Sequence, residues 1–466
     1  MKRILLVAPL LLVAGCAVGP NYRRPTTPSI PAFRAPDPLP AGDSESLANT
    51  KWFDLFEDEV LRELIQIALA ENFDLRLAAT RVHSARGNLG TVRANQYPNV
   101  NGTGELVTLR NSRNGAFPLP DSITQERNYG GTGLSLLSFE LDLWGRLRRA
   151  TEAARAELLS AEENRMAVIT TLVGDVAAAY FTLRALDLEL EIAQRTLATR
   201  RESLGLIETR HRGGIATLLE VREAEQLVFS ASQSIPDLQR SIELNENLLS
   251  ILLGRSPGDI PRGASLARQK QPAAIPTGLP AALLERRPDI RAAEQDLIAA
   301  NARIGVARAA YFPRIALTGN AGYQSNQLSQ LLAGSAGVWN FAAQLSQPIF
   351  QAGRLGANLA IARADRDAAL VQYERAIQSA FREVSDSLVQ YQRVKQILVE
   401  QNLLVTTLQD RSRLAYVRYR GGVDTLLNAL DADRDLFTAE LNQARTQRDE
   451  LLALVQLYKA LGGGWN

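Results

Sequence analysis

Two copies of one motif set the terms for this chain. The stretch RHRGGIATLLEVREA at Arg210 to Ala224 returns 208 residues later as RYRGGVDTLLNALDA at Arg418 to Ala432. Arg210, Arg212, Gly213, Gly214, Thr217, Leu218 and Leu219 recur as Arg418, Arg420, Gly421, Gly422, Thr425, Leu426 and Leu427. Each copy reads as the end of one helix, a glycine reversal and the start of another, because glycine accepts the left-handed backbone just past a helix end. In the first copy Thr217 and Glu220 have capping-box spacing. The repeat predicts two helical hairpins with tips at 210–217 and 418–425, and it overrides the prior of about three domains for a chain of 466 residues.

The helices that lead into these tips are predicted to be long. No proline lies between Gly145 and Arg212, and Ile169, Leu172, Val176, Ala179, Leu183, Leu186, Leu190, Ala193 and Leu197 step alternately by three and four. That is a coiled-coil stripe. Ile377, Ala380, Val384, Tyr391, Val394, Leu398, Val405 and Leu408 continue the same register in the stretch from Gly353. At 1.5 Å per residue each helix would reach on the order of 100 Å. The descending helices, Thr217 to Leu253 and Thr425 to Leu461, stop at Gly254 and Gly462, and Pro236 predicts an irregularity in the first.

A second pattern repeats at an offset of 215 residues: Asp74, Arg76, Gly90, Arg93, Ala94 and Pro98 return as Asp289, Arg291, Gly305, Arg308, Ala309 and Pro313. After each proline the period changes from helical to alternating. Ile315, Leu317, Ala321 and Tyr323 share one face against Arg314, Thr318, Asn320 and Gln324, and Trp339, Phe341, Ala343, Leu345 and Ile349 alternate with Asn340, Gln344 and Ser346. In the first copy Leu137, Phe139, Leu141 and Leu143 alternate with Ser138, Glu140 and Asp142, while the strand before them slips phase near Leu106. Strands are expected at about 99–110, 129–143, 314–324 and 338–350, each near the roughly 9–11 residues that span a membrane. Four strands cannot close a barrel, whose smallest members have about eight. Either the sheet is soluble or several chains share one barrel.

The ends of the chain complete the layout. Lys2 and Arg3, the apolar run Ile4 to Val13 and the sequence Val13-Ala14-Gly15-Cys16 form a lipoprotein signal over 1–15, with Cys16 as the acylated residue. Seven prolines between Pro20 and Pro40 make 16–50 an extended arm. Helices are expected over Asp58 to Ala70 and Phe73 to Gln96. Residues 51–254 form a first structural repeat, the Pro- and Gly-rich 255–280 a linker, and 281–466 the second repeat.

Composition excludes other classes. A net charge of +2, including the two basic residues of the signal, offers nothing to nucleic acid. One cysteine rules out a disulfide framework and any multi-cysteine metal site. There is no phosphate-binding loop and no HExxH, and the two histidines, His83 and His211, lie far apart in sequence. No catalytic residue, metal ligand or cofactor is assigned beyond the covalent lipid on Cys16. His211 reads best as a solvated residue at a helix end.

With these features in order, the chain resembles the TolC-like outer-membrane efflux channels, in their lipoprotein branch. The resemblance rests on Cys16 with GPNYRRP at Gly19 to Pro25, LDLWGRL at Leu141 to Leu147, RRPDI at Arg286 to Ile290 and ARAAYFPRI at Ala307 to Ile315. PIFQAGR at Pro348 to Arg354, LLNALDA at Leu426 to Ala432 and LGGGW at Leu461 to Trp465 complete it. It implies an α+β membrane protein working as a homotrimer. Three chains would give four strands each to a 12-stranded β-barrel, continued through a mixed equatorial region by a long α-helical coiled-coil barrel across the periplasm. The implied role is passive export, with a periplasmic adaptor and an inner-membrane resistance-nodulation-division pump as partners.

The same resemblance assigns the tip residues. Asp431 holds the acidic position of the LDA run, where three copies would make a cation-favouring ring. Asn428 stands where some relatives carry a second aspartate, Asp424 where some carry a basic residue, and Glu223 is the first-copy counterpart of Asp431. Leu427 would add an apolar constriction and Tyr419 an aromatic latch. Arg210, Arg212, Gly213, Gly214, Arg418, Arg420, Gly421 and Gly422 would form the hairpin ends that meet the adaptor. The competing class is a periplasmic coiled-coil lipoprotein, structural or adaptor-like, with a soluble sheet; the apolar faces of Trp339 and Phe341 speak against it.

Overall fold

The computed structural model describes residues 17–26, 30, 33–35, 47, 51–114, 120–269 and 280–463; Cys16 and the predicted lipoprotein signal lie outside the described residues. The elements in chain order are α1 (Trp52–Leu55), α2 (Glu59–Glu71), α3 (Phe73–Ala94), β1 (Val100–Arg110), β2 (Glu126–Glu140), α4 (Arg146–Arg212) and α5 (Leu218–Leu252). The second repeat supplies α6 (Leu283–Arg286), α7 (Pro288–Ala309), β3 (Arg314–Ser325), β4 (Gly337–Ser346), α8 (Arg354–Arg420) and α9 (Leu426–Ala460). The 208-residue offset holds through the whole of both hairpins: α4 and α8 have 67 residues each, α5 and α9 have 35. Compact packing, however, does not follow the repeats. One unit gathers 1–26, 81–161 and 292–373, the other 27–80, 162–291 and 374–466, so each takes segments from both halves of the sequence.

In the first unit the four strands form one antiparallel sheet in the order β1-β2-β3-β4, the two repeats meeting between β2 and β3. The ladder of β1 against β2 runs from Val100↔Leu136 to Arg110↔Glu126 without a shift. The phase slip read at Leu106 is therefore a change of face and not a break in the ladder: Gly102 and Gly104 lie between Val100 and Leu106 on one face, and Val107 and Leu109 lie on the other. In β2 the register shifts between Leu136 and Phe139. This irregularity places Leu134, Leu136 and Phe139 on one face, where simple alternation pointed to Leu137, Leu141 and Leu143, and the strand ends at Glu140, not at 143. β4 stops at Ser346, not at 350, because Pro348 has no N–H to extend a ladder. Where the repeats abut, Gly133 pairs with Gly322; a Cβ on Gly133 would lie 2.6 Å from the Ala321 carbonyl, so the strands approach as only glycines permit.

The proline-rich arm is held against this unit over its first described residues. Val18 N–H donates to the Trp144 carbonyl at 2.9 Å, Arg149 Nη2 to Asn21 Oδ1 at 2.7 Å, and Asn301 Nδ2 to the Pro20 carbonyl at 3.0 Å. Arg24 Nε and Tyr22 Oη both donate to Glu294 Oε1, at 2.7 and 3.0 Å. Trp144 stacks on Phe312 at 4.7 Å and its indole N–H caps the Pro313 carbonyl at 2.8 Å.

The second unit carries the buried helical core. The heptad stripe of α4 turns inward, with Val176, Leu183 and Ala193 fully buried, as are Ile377, Ala380 and Val384 of α8. Pro236 sits inside α5 without ending it. The described part of the expected linker is tied down by charge. Arg262 pairs with Asp187 and Glu246, and the Ala264 amide reaches Asp58 at 3.0 Å. Asp58 also caps α2 through Val60 and Leu61 and accepts from Tyr180 Oη and Gln269 Nε2, at 2.9 and 2.8 Å. Burial by itself would push its carboxyl up; the donors outweigh burial and hold it below the ordinary range.

Candidate functional site

Register places the side chains of the sheet on two unlike faces. Val100, Leu106, Leu134, Leu136, Leu317, Ala321, Trp339 and Phe341 occupy one, across all four strands. Asn101, Thr103, Glu105, Ser135, Asn320, Gln324, Asn340 and Gln344 occupy the other. Among the described residues nothing covers the apolar face: Leu106 and Trp339 are 80% exposed. An apolar surface spread over four strands marks a membrane or partner interface, which speaks against the soluble-sheet reading. β1 and β4 each keep one edge without a strand partner among the described residues.

The tips are the other site. In the first, the Ile215 amide donates to the Arg210 carbonyl at 2.9 Å; in the second, the Val423 amide donates to the Arg418 carbonyl at 3.1 Å. Gly214 and Gly422 have φ of 71° and 72°. Both tips are the same helix-terminating turn, and only the second glycine of each pair occupies the left-handed region. The caps differ. Thr217 and Glu220 form a reciprocal capping box, while Thr425 makes no side-chain cap. Asp424 makes a different set of contacts there: it accepts from the Thr425 amide at 2.8 Å, from Asn428 Nδ2 at 2.7 Å and from Arg418 Nε at 3.0 Å. These donors, Asn428 foremost, hold its carboxyl below the ordinary range. Asp424 thus makes an ion pair inside its own tip, and Asn428 is engaged with it.

The remaining tip residues divide between packing and solvent. Tyr419 is buried among Ile207, Val221, Leu227, Leu426 and Leu430, with the Arg210 guanidinium 4.8 Å from its ring centroid. It joins the two hairpins of one chain, and its phenol oxygen, buried without a partner among the described residues, borders a cavity of about 130 Å³ with Glu202, Ser203, Tyr416 and Arg420. Arg212 bonds back to Thr209 at 3.2 Å. His211 Nδ1 lies 2.8 Å from the Ala216 carbonyl, a contact that requires its N–H, so this ring helps close the turn. Leu427 is half exposed. Asp431 pairs with Arg434 at 3.0 Å, whereas Glu223 makes no ion pair among the described residues. Arg200, 3% exposed between the hairpins, was not singled out from sequence, because its partner Asp433 is 233 residues away and neither repeats at the 208 offset.

A sheet with an uncovered apolar face and open edges, joined to two long helical hairpins, defines the class of outer-membrane channel proteins. Comparison with known proteins gives the family. The model of the outer membrane efflux protein family matches residues 64–255 and 279–463. The chain is 39% identical over 463 residues to the solvent efflux pump outer membrane protein SrpC of Pseudomonas putida, covering 98% of this chain and 97% of that one. It is 36% identical over 461 residues to the cation efflux system protein CusC of Escherichia coli, covering 98% and 97%. Among solved structures, a membrane protein from Pseudomonas aeruginosa superposes with a TM-score of 0.88 at 35% identity, covering 96% and 100%. The open state of the MtrE outer membrane channel of Neisseria gonorrhoeae gives 0.86 at 34%, covering 97% and 99%. The chain belongs to the outer membrane efflux protein family. It is an outer-membrane efflux duct, and the family consists of transport ducts rather than enzymes.

Proposed function

We propose that three copies of this chain build one conduit through which an inner-membrane pump of the resistance-nodulation-division type and a periplasmic adaptor expel small toxic compounds. The observation that carries this reading is the sheet. β1 and β4 are 11 and 10 residues long, run antiparallel in the meander and present free edges. Pairing β4 of one copy with β1 of the next satisfies both edges and closes twelve strands, with the Trp339 and Phe341 face toward lipid and the Asn320 and Gln344 face toward water. The hairpins then form the periplasmic tunnel, their Gly-Gly ends at its inner mouth against the adaptor. Asp431 would supply a ring of three carboxylates there, and acylated Cys16 a second membrane anchor.

The relatives' names span solvents, toluene, antibiotics and cations, so the cargo is set by the pump rather than by the duct wall. The test is native mass spectrometry on protein extracted from outer membranes. Three copies per particle are expected. A particle that stays monomeric, and soluble after detergent removal, overturns the proposal.

A further inference from the structure

Above the tips, one buried charge touches three of the four hairpin helices. Arg200 of α4 donates through Nε to Asp433 Oδ2 of α9 at 2.7 Å and through Nη1 to the Leu227 carbonyl of α5 at 3.0 Å. Its guanidinium carbon lies 4.9 Å from the ring centroid of Phe437 of α9. Tyr416 brings in the fourth helix, α8: it hydrogen-bonds Ser203 and lies in the field of Asp433, and burial first, then that aspartate, raises its phenol's pKa. Arg200 and Asp433 are both buried.

A buried ion pair contributes little net stability, because desolvation offsets its attraction. What it does well is select one arrangement among several of similar energy. The surrounding contacts are of the kind that permit several. Leu197, Val228 and Ala231, with Leu204 and Ile235 against them, form an apolar cluster without directional bonds. Such a surface allows one hairpin to turn on the other by small steps; a planar guanidinium with partners fixed on two other helices does not. The pair is also asymmetric in the repeat. The counterpart of Arg200 is Leu408, and that of Asp433 is Glu225, which pairs with Arg222 on its own helix.

We propose that Arg200, through Asp433, is the positioning residue that fixes the rotation of the first hairpin on the second and thereby the separation of the two tips. Its consequence for conduction rests on the duct proposed above; its mechanical part does not. The test uses the full-length protein with Arg200→Met and Asp433→Leu together, which removes both charges and leaves neither orphaned. Spin labels on cysteines at Ile215 and Val423, exposed at the two tips, report the tip separation by dipolar spectroscopy, with singly labelled controls. The double variant should broaden that distance distribution and raise single-channel conductance in planar bilayers severalfold. Arg222→Ala, at an exposed pair, should change neither.

An unchanged distance distribution in the double variant overturns the proposal. If the double variant does not fold, Arg200→Lys keeps the charge but not the fork, and a distribution identical to wild type overturns the proposal equally. Wild-type protein that conducts nothing in bilayers counts against the duct and leaves the label distances to decide the latch.

Discussion

The two tips share a backbone and differ in chemistry. Gly214 and Gly422 adopt the same left-handed geometry, and the same amide-to-carbonyl bond closes each turn. Yet the first returning helix is capped by a reciprocal Thr217–Glu220 pair, whereas the second has no side-chain cap and instead an aspartate one residue before its N-cap that binds the Thr425 amide, Arg418 and Asn428. The geometry of a hairpin end is thus dictated by glycine, whereas the polar groups that stabilise it are interchangeable. The second tip gathers a cation, an amide and a carboxylate into one cluster, so its returning helix is tied to the ascending one by charge. The first holds its ends together through His211 and the Ala216 carbonyl.

Substitution at the left-handed glycines is the strongest way to break this equivalence. Gly214→Val and Gly422→Val should each cost roughly 1–2 kcal/mol, equal within error because the two φ values match. Melting of detergent-extracted protein and export competence in cells measure it. Gly213→Ala and Gly421→Ala, at glycines with ordinary φ, should stay within about 0.5 kcal/mol of wild type. Markedly unequal losses at Gly214 and Gly422 would show that the turns are not equivalent. Smaller, and unequal between the tips, are the effects expected at the caps. Thr217→Ala should cost about 1 kcal/mol, while Thr425→Ala, which removes no cap, should cost under about 0.5 kcal/mol. Equal losses would mean that the Thr425 hydroxyl caps its helix as Thr217 does.

The hairpins were legible in sequence because local patterns determine them: an unbroken heptad stripe, a glycine at each reversal, and a repeat that fixes both lengths. The strands were legible in number and, in the second copy, in face. In the first copy glycines stand in for apolar side chains at Gly102 and Gly104, and a bulge after Leu136 moves the apolar face by one residue; alternation counts neither. The stretch after Arg255 read as a linker because its Pro and Gly content is visible, while the donors it brings to Asp58 are not. At the tip, the motif placed the named residues at the hairpin ends, but the pairing of Asp431 with Arg434 depends on rotamers. The Arg200–Asp433 contact depends on which helices are neighbours, and nothing local to either residue announces it.

Acid should separate the tips next. The Asp424 carboxyl is held low by Asn428, Arg418 and the Thr425 amide. A depressed acid stabilises the fold above its unfolded value, about 3.9 for aspartate, and that contribution is lost as pH falls through the lower folded value. Amide exchange at Gly422 to Leu426, corrected for intrinsic rate, should therefore rise as pH drops below about 4. Asp424→Asn should abolish the pH step. The step's survival in that variant would assign it elsewhere, Asp58 and Glu71 being further carboxylates held low by their donors.

The smallest expected effect concerns the carboxylates proposed to face the pore. Asp431 stands beside Arg434, which offsets part of its charge, and its first-copy counterpart Glu223 makes no ion pair among the described residues. If the second tip forms the constriction, Asp431→Asn should lower cation selectivity, read as reversal potential in a salt gradient, by a modest but measurable amount. Arg434→Gln, which leaves Asp431 unopposed, should raise it. Glu223→Gln should then do less than Asp431→Asn. The reverse order would move the constriction to the first tip, where the Glu223 carboxylate has no ion-pair partner among the described residues to offset its charge.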